Sequence, residues 1–118
     1  MSTENIQIVT SDGSRPGQKI LRILGPLNIQ TIFGFQAAIR NVESNAVVVD
    51  FGGVPYIDSA GLGALVGAYV SGQRAHRRLA FAAMNERVKA LLSMTHVSQL
   101  LQPYATVEEA EGAIATPD

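Results

Sequence analysis

Apolar and polar residues alternate in some stretches of the chain and follow a helical period in others. Ile6 to Thr10 has the alternation of a short strand, and Lys19 to Leu24 predicts a second strand. Turn-forming residues fill Ser11 to Gly17 between them, which predicts a hairpin with a flexible tip. A broad apolar face between Ile29 and Val42 then predicts a helix.

The middle of the chain predicts a buried strand followed by a long helix. Ala46 to Phe51 begins with four consecutive apolar residues, three of them β-branched, which is typical of a strand buried on both faces. From Leu62 to Val70, apolar residues recur at i, i+3, i+4, i+7 and i+8, and Gly72 ends this helical pattern. Basic residues that we expect to be solvated cluster near its end: Arg74, His76, Arg77 and Arg78.

The last third of the chain predicts two more strands and two more helices. Leu79 to Ala83 is a short apolar strand, and Asn85 can cap the helix that follows it. Leu100 to Tyr104 is a candidate edge strand, where a proline is tolerated. Thr106 and Glu109 have the spacing of a capping box, which predicts the start of a final helix.

This succession of elements predicts one domain of the α/β class over residues 1–118. The predicted order is β-β-α-β-α-β-α-β-α, and strand–helix–strand units with short links favour parallel strand pairs. We therefore expect an α+β sandwich, with a mixed central sheet of about four or five strands and four helices. Residues 1–5 and 115–118 are expected to be flexible ends.

Composition narrows the chemistry available to such a domain. The 118 residues include no cysteine and only two histidines, so disulfides, thiolate metal sites and His-rich sites are excluded, and we expect no metal or cofactor. A formal net charge of −1 does not suit a nucleic-acid-binding protein. The chain begins without a signal-peptide pattern and lacks a run of about 20 apolar residues. We therefore expect a cytoplasmic protein that does not insert into membranes.

The segment from Asp58 to Gly63, where the buried strand leads into the long helix, contains the most informative residues. Asp58 or Ser59 can cap this helix, and Gly61 and Gly63 permit close approach of another backbone or of a partner. The Ser59 hydroxyl lies at the positive end of the helix dipole, where an anion would meet unpaired N–H groups.

Four interpretations of Ser59 compete. A helix cap is the commonest meaning of so short a motif. A hydrolase nucleophile requires Gly-x-Ser-x-Gly, but position 57 is Ile57, and neither His76 nor His96 has a recognisable catalytic context. A nucleotide loop is disfavoured because the glycines of residues 61–67 lie inside the helix and no Gly-Lys-Ser/Thr ending follows. Regulatory phosphorylation is the fourth.

Three blocks of the sequence resemble the STAS domain, a family that includes anti-sigma factor antagonists and the cytoplasmic tails of sulfate transporters. Gly25 to Thr31 resembles the family's Gly-Glu-Leu-Asp-x-x-Thr. Asp50 to Gly63 resembles Asp-Leu-x-x-Val-x-Phe-Ile-Asp-Ser-Ser-Gly-Leu-Gly, and Val88 to Thr95 resembles Val-x-x-Leu-Leu-x-x-Thr. The resemblance runs from Lys19 to Leu101, and the family's order of strands and helices agrees with the predicted one.

The resemblance implies a binding module controlled by phosphorylation rather than an enzyme. In the antagonist branch, the unmodified protein binds an anti-sigma factor that is also a serine kinase, and the sigma factor is freed. The kinase phosphorylates the serine after Asp, here Ser59, which ends binding, and a serine phosphatase resets the protein. The implied partner-binding residues are Asn28, Thr31, Asp58, Ala60, Gly61, Leu62 and Gly63. The alternative that the family implies is a constitutive regulatory subunit of a membrane lipid or anion transport complex.

The sequence departs from the family pattern at four positions. Asn28 replaces an acid that flanks the serine in many antagonists, and Pro26 replaces a glutamate, so this surface has fewer acids. Ala60 replaces a second hydroxyl, which leaves Ser59 as the one candidate in the motif. His96 stands where a glycine usually follows the threonine, and we expect a surface residue there.

Overall fold

Four strands and five helices form within residues 5–115, the part of the chain that the computed structural model describes. Residues 1–4 and 116–118 of the predicted flexible ends lie outside this range. The strands are β1 (Gln7–Asp12), β2 (Gln18–Leu24), β3 (Ala46–Gly53) and β4 (Arg78–Ala82). The helices are α1 (Ile32–Asn41), α2 (Ser59–Arg74), α3 (Glu86–Met94), α4 (Ser98–Leu101) and α5 (Val107–Ala113).

The sheet is mixed, with the strand order β1-β2-β3-β4. β1 pairs antiparallel with β2, whereas the β2–β3 and β3–β4 pairs are parallel. This topology confirms the predicted fold class, including the hairpin at the start of the chain and the parallel pairs joined through helices. The carboxyl ends of β2, β3 and β4 therefore share one edge of the sheet, and the loop from β3 to α2 begins there.

Both faces of β3 are buried, as its continuous apolar run predicts. Val47, Val49 and Phe51 belong to a larger core with residues of α1, α2, α3 and α4. Val48 belongs to a smaller core with residues of β4 and α5. The Phe51 and Phe81 rings meet edge to face with centroids 6.0 Å apart, a favoured geometry for an aromatic pair.

The predicted edge strand from Leu100 to Tyr104 is wrong. Leu101 ends α4 and is buried in the larger core, and Gln102 then turns the backbone with a φ of 46°. Tyr104 forms an isolated parallel bridge with Ala82. Pro103 has no N–H to donate to a sheet ladder, so the pairing does not extend into a strand.

The tip of the β1–β2 hairpin is tied to the last helix by Glu111, although the sequence predicts a flexible turn. Glu111 is only 4% exposed, and its Oε2 accepts hydrogen bonds from the Ser14 N at 2.5 Å and from the Ser14 Oγ at 2.8 Å. The Gln18 Nε2 donates to the Glu111 carbonyl at 3.0 Å. Nearby, Lys19 donates to Asp12, and this hydrogen bond and charge lower the pKa of the Asp12 carboxyl.

Arg77 closes the C-terminal end of α1. The prediction that it is a solvated cation is wrong. Its Nη1 donates to the Ile39 carbonyl at 2.6 Å, and its Nη2 donates to the Val42 carbonyl at 2.7 Å. The last carbonyls of a helix have no partner within the helix, and a cation there is favoured by the helix dipole. Arg77 therefore links the segment between α2 and β4 to the end of α1.

We expect Arg77→Met to lower the free energy of unfolding by about 2 kcal/mol, because two carbonyls lose charge-assisted hydrogen bonds. Arg74→Met is the matched control, since Arg74 is exposed at the end of α2, and it should change stability by less than about 0.5 kcal/mol. Urea denaturation of both variants measures the difference. Equal losses in the two variants would contradict the assigned role.

Candidate functional site

Asp58 joins the start of α2 to the loop that precedes α1. Its Oδ1 accepts a hydrogen bond from the Gly61 N at 2.8 Å, so Asp58 is the N-cap of α2. Its Oδ2 accepts from the Ile29 N at 3.2 Å. The Asp58 N in turn donates to the Leu27 carbonyl at 3.2 Å. One carboxylate therefore holds two segments together that are about 30 residues apart in the sequence.

Ser59 is the first residue of α2, and its side chain is exposed. The interpretation of Ser59 as the helix cap is wrong, because Asp58 occupies that position. Within residues 5–115, the Ser59 hydroxyl has no hydrogen-bond partner. The site therefore presents a free hydroxyl to solvent at the positive end of a 16-residue helix.

Asn28 and Thr31 are buried and build the loop before α1. The Asn28 Oδ1 accepts from the Gln30 N at 2.9 Å, which is an Asx turn. The Thr31 Oγ1 accepts from the Asn28 N at 2.9 Å and donates to the Pro26 carbonyl at 2.8 Å. These contacts delay the start of α1 to residue 32, whereas the apolar pattern predicted a helix from residue 29.

The two glycines singled out in the sequence have different surroundings. A Cβ at Gly61 would lie 2.2 Å from the Leu27 carbonyl oxygen, so this glycine allows α2 to pack against the chain's own backbone. A Cβ at Gly63 would have no atom within 4 Å, and Gly63 is exposed one turn after Ser59. Ala60 and Leu62 are half-buried beside them. Ser59 and Gly63 therefore form the accessible part of this segment.

Two large apolar side chains near the site point outward, although the sequence pattern assigned both to the buried face of a helix. Ile29 is 62% exposed in the loop that Asp58 holds, and Phe33 is 70% exposed in the first turn of α1. A helical wheel could have identified Phe33, because Phe35 and Ile39 define the buried arc and Phe33 falls opposite it. Nothing in the local sequence marks Ile29 as exposed.

Tyr56 connects the same loop to α3. The Asn28 Nδ2 lies 3.3 Å from the Tyr56 hydroxyl, and the Arg87 guanidinium carbon lies 5.1 Å from the centroid of the Tyr56 ring. The second contact is a cation–π interaction. Sequence reasoning missed Arg87, because it depends on a long-range contact that no local pattern indicates.

His76 does not complete a hydrolase site with Ser59. His76 follows the other end of α2, whose 16 residues span about 24 Å, so it cannot act as a base for Ser59. His96 is exposed after α3, with a φ of 62° in the left-handed region that favours glycine.

Within residues 5–115, no group of three or more His, Asp or Glu side chains could hold a metal ion. None of the helices described is long and apolar enough to cross a membrane.

The family model of the STAS domain matches residues 5–110. Among solved structures, an anti-sigma factor antagonist from Mycobacterium paratuberculosis is similar, with a TM-score of 0.81, 20% identity, and coverage of 92% of this chain and 93% of that one. A sulfate transporter family protein from Wolinella succinogenes has a TM-score of 0.70 and 19% identity, covering 85% and 86% of the two chains.

A third similar structure is that of the Bacillus cell fate determinant SpoIIAA in the phosphorylated form. It has a TM-score of 0.67 and 15% identity, and the match covers 92% of this chain and 100% of that one. At these identities the solved structures show a shared fold, while the family match spans most of the 118 residues. The chain belongs to the STAS domain family.

Proposed function

We propose that this protein is an anti-sigma factor antagonist whose binding is controlled at Ser59. In the unphosphorylated form it binds a cognate anti-sigma factor that is also a serine kinase, and the sigma factor is released. Phosphorylation of Ser59 ends this binding, and a serine phosphatase restores it. The observation that carries the proposal is the exposed Ser59 hydroxyl, which is free because Asp58 caps α2.

The electrostatics of the site favour a switch in binding without a loss of folding. A phosphate adds about −1.5 to −2 charges at neutral pH, and the start of a helix stabilises an anion. The folded protein can therefore accommodate phosphoserine at position 59. A partner that covers the site must instead bury that charge beside the Asp58 carboxylate, which disfavours the complex.

The surroundings of Ser59 suit a protein partner. Ile29 and Phe33 supply exposed apolar area, and Gly63 lets a partner backbone approach α2 closely. The remaining predicted partner-binding residues are less accessible. Four of them shape the loop and the start of α2: Asn28, Thr31, Asp58 and Gly61. Ala60 and Leu62 are half-buried beside the exposed Ser59 and Gly63. The proposed role is that of a binding module in the cytoplasm, with no catalytic step of its own.

Incubation with a cognate anti-sigma kinase and ATP should add one phosphate, which mass spectrometry should map to Ser59. Ser59→Ala should abolish the label. Ser71→Ala is the matched control, because Ser71 is also exposed on α2 but lies far from its N-terminus, and it should leave labelling intact. Undiminished labelling of Ser59→Ala would refute the proposal.

A second candidate function is a constitutive regulatory subunit of a membrane lipid or anion transport complex. Two positions favour it, since Pro26 and Asn28 remove acids that many antagonists have near the serine. In that case affinity purification should recover a permease or its ATPase, and the interaction should be the same for Ser59→Asp and the parent protein. Recovery of a serine kinase would favour the antagonist.

A further inference from the structure

β1 is an edge strand, and within residues 5–115 no other strand pairs with its outer side. The Gly13 N donates to the Gln18 carbonyl at 2.8 Å, and these two residues continue the register of the β1–β2 pair. In an antiparallel pair, residues bonded to the partner strand alternate with residues whose N–H and C=O groups point away from it. The residues of β1 that direct both groups away from β2 are therefore Ile8, Thr10 and Asp12.

The two edges of the sheet differ in how they are protected. On β4, the Tyr104 carbonyl accepts from the Ala83 N at 3.1 Å and the Tyr104 N donates to the Phe81 carbonyl at 2.9 Å, so part of that edge is paired. Edge strands commonly avoid further pairing through a proline, a lysine or a bulge. β1 has none of these, since its sequence is Gln-Ile-Val-Thr-Ser-Asp and its register with β2 is continuous. β1 can therefore accept another strand.

Neither layer of helices covers the middle of β1. Thr10 is the register partner of Leu21, which belongs to the larger core, so Thr10 lies on the side of the sheet that carries α1 and α2. Val9 lies on the other side, because successive side chains of a strand alternate. Thr10 is exposed, and Val9 is 49% exposed. A strand of another molecule can therefore approach β1 edge-on, and it would cover the exposed Val9.

The position of Val9 makes a second copy of β1 a fitting occupant. In one antiparallel register, Val9 lies directly opposite Val9 of the other copy, and a two-fold axis perpendicular to the sheet passes between them. Four N–H···O=C bonds then flank this axis, joining Ile8 of each copy to Thr10 of the other. A shift by two residues in either direction would set Val9 against Gln7 or Ser11 instead, which pairs an apolar side chain with a polar one.

We propose that β1 is the interface of a symmetric homodimer, in which two β1 strands pair antiparallel about Val9 and two four-stranded sheets become one. A second copy suits this edge better than an unrelated peptide, because the two-fold pairing covers both exposed valines and bonds the outward groups of both strands at once. Ser59 begins α2 after β3, two strands from the interface, so both Ser59 sites stay accessible. The inference is independent of the function proposed for Ser59, because it uses a different surface.

Single cysteines test the register, since the chain contains no cysteine of its own. Val9→Cys places two thiols opposite each other, with Cα atoms about 4.5 Å apart, which a disulfide can span. Ser11→Cys is the matched control: it is exposed on the same side of β1, but its two copies would lie about 14 Å apart. Oxidised glutathione should cross-link Val9→Cys into covalent dimers at least tenfold more than Ser11→Cys. Equal cross-linking of the two variants would overturn the pairing about Val9.

Loss of association tests the backbone pairing. Sedimentation equilibrium of the wild-type protein over a wide concentration range should show dimers. Thr10→Pro removes an N–H that points away from β2, a position where an edge strand tolerates proline, and it should weaken dimerisation at least tenfold. Val9→Lys should weaken it as much, because two like charges then lie opposite each other. Val70→Lys is the control, since Val70 is 38% exposed on α2, and it should leave dimerisation unchanged.

Circular dichroism checks that each variant is folded. A wild-type protein that stays monomeric at every concentration would overturn the proposal. Folded Thr10→Pro and Val9→Lys proteins that dimerise as tightly as the wild type would overturn it as well.

Discussion

Gly61→Ala should lower the free energy of unfolding by about 3 kcal/mol, the upper range for inserting a methyl group into a packed site. The added Cβ would lie 2.2 Å from the Leu27 carbonyl oxygen, a distance that no real Cβ contact tolerates. That carbonyl also accepts a hydrogen bond from the Asp58 N, so it cannot withdraw without breaking the contact. We expect α2 and the loop before α1 to separate.

Gly63→Ala is the matched control for this prediction. It lies in the same helix, and a Cβ there has no neighbour within 4 Å. Alanine should stabilise the protein by about 0.5–1 kcal/mol, because it loses less conformational entropy in a helix than glycine. Urea denaturation of the two variants should therefore give changes of opposite sign. A Gly61→Ala protein as stable as Gly63→Ala would contradict the close packing of α2.

Ser59→Asp should weaken binding to the anti-sigma factor at least about tenfold, or 1.4 kcal/mol. The substitution places a second carboxylate next to Asp58, in a surface that the partner must cover. Its effect on folding should be small or favourable, because acidic residues in the first turn of a helix interact well with the dipole. Isothermal titration calorimetry with the purified anti-sigma factor measures the change in affinity, and thermal melting measures the change in stability.

Ser71→Asp separates this local effect from a general effect of negative charge. It adds the same charge to an exposed position on α2, about 18 Å along the helix from Ser59. Its affinity for the anti-sigma factor should match that of the parent. If Ser59→Asp also bound with parental affinity, the site would not be a switch, and the transport-subunit alternative would gain support.

Local sequence patterns predict those parts of the fold that local physics determines. The run of β-branched residues in β3 is buried on both sides, as predicted. Asn85 and Thr106 act as the predicted N-caps, with their side-chain oxygens accepting from the Val88 N at 2.9 Å and from the Glu109 N at 3.1 Å. These features depend on residues within one or two turns of each other, so a single segment contains the whole signal.

The features that sequence reasoning missed depend on contacts between distant segments. In the sequence, Arg77 is one of several basic residues after a helix, and only the fold places it beside the end of α1. Similarly, no local pattern indicates that Glu111 binds the tip of the hairpin. The same limit applies at the site. The motif identifies Gly61 as a special position, but only the fold identifies Leu27 as the neighbour that requires glycine.

Through the two hydrogen bonds of the Asp58 carboxylate, partner binding and phosphorylation of Ser59 would affect each other in the proposed switch. One oxygen holds α2 and the other holds Ile29, so a Ser59 phosphate that drew these N–H groups away from Asp58 would also loosen the loop that presents Ile29. Linkage requires the coupling free energy to be the same in both directions. A partner that fixes the loop would then make phosphorylation less favourable by a certain free energy. The phosphate would weaken partner binding by the same free energy. If the protein works as proposed, its phosphorylated form is a product that the kinase binds less tightly than the substrate.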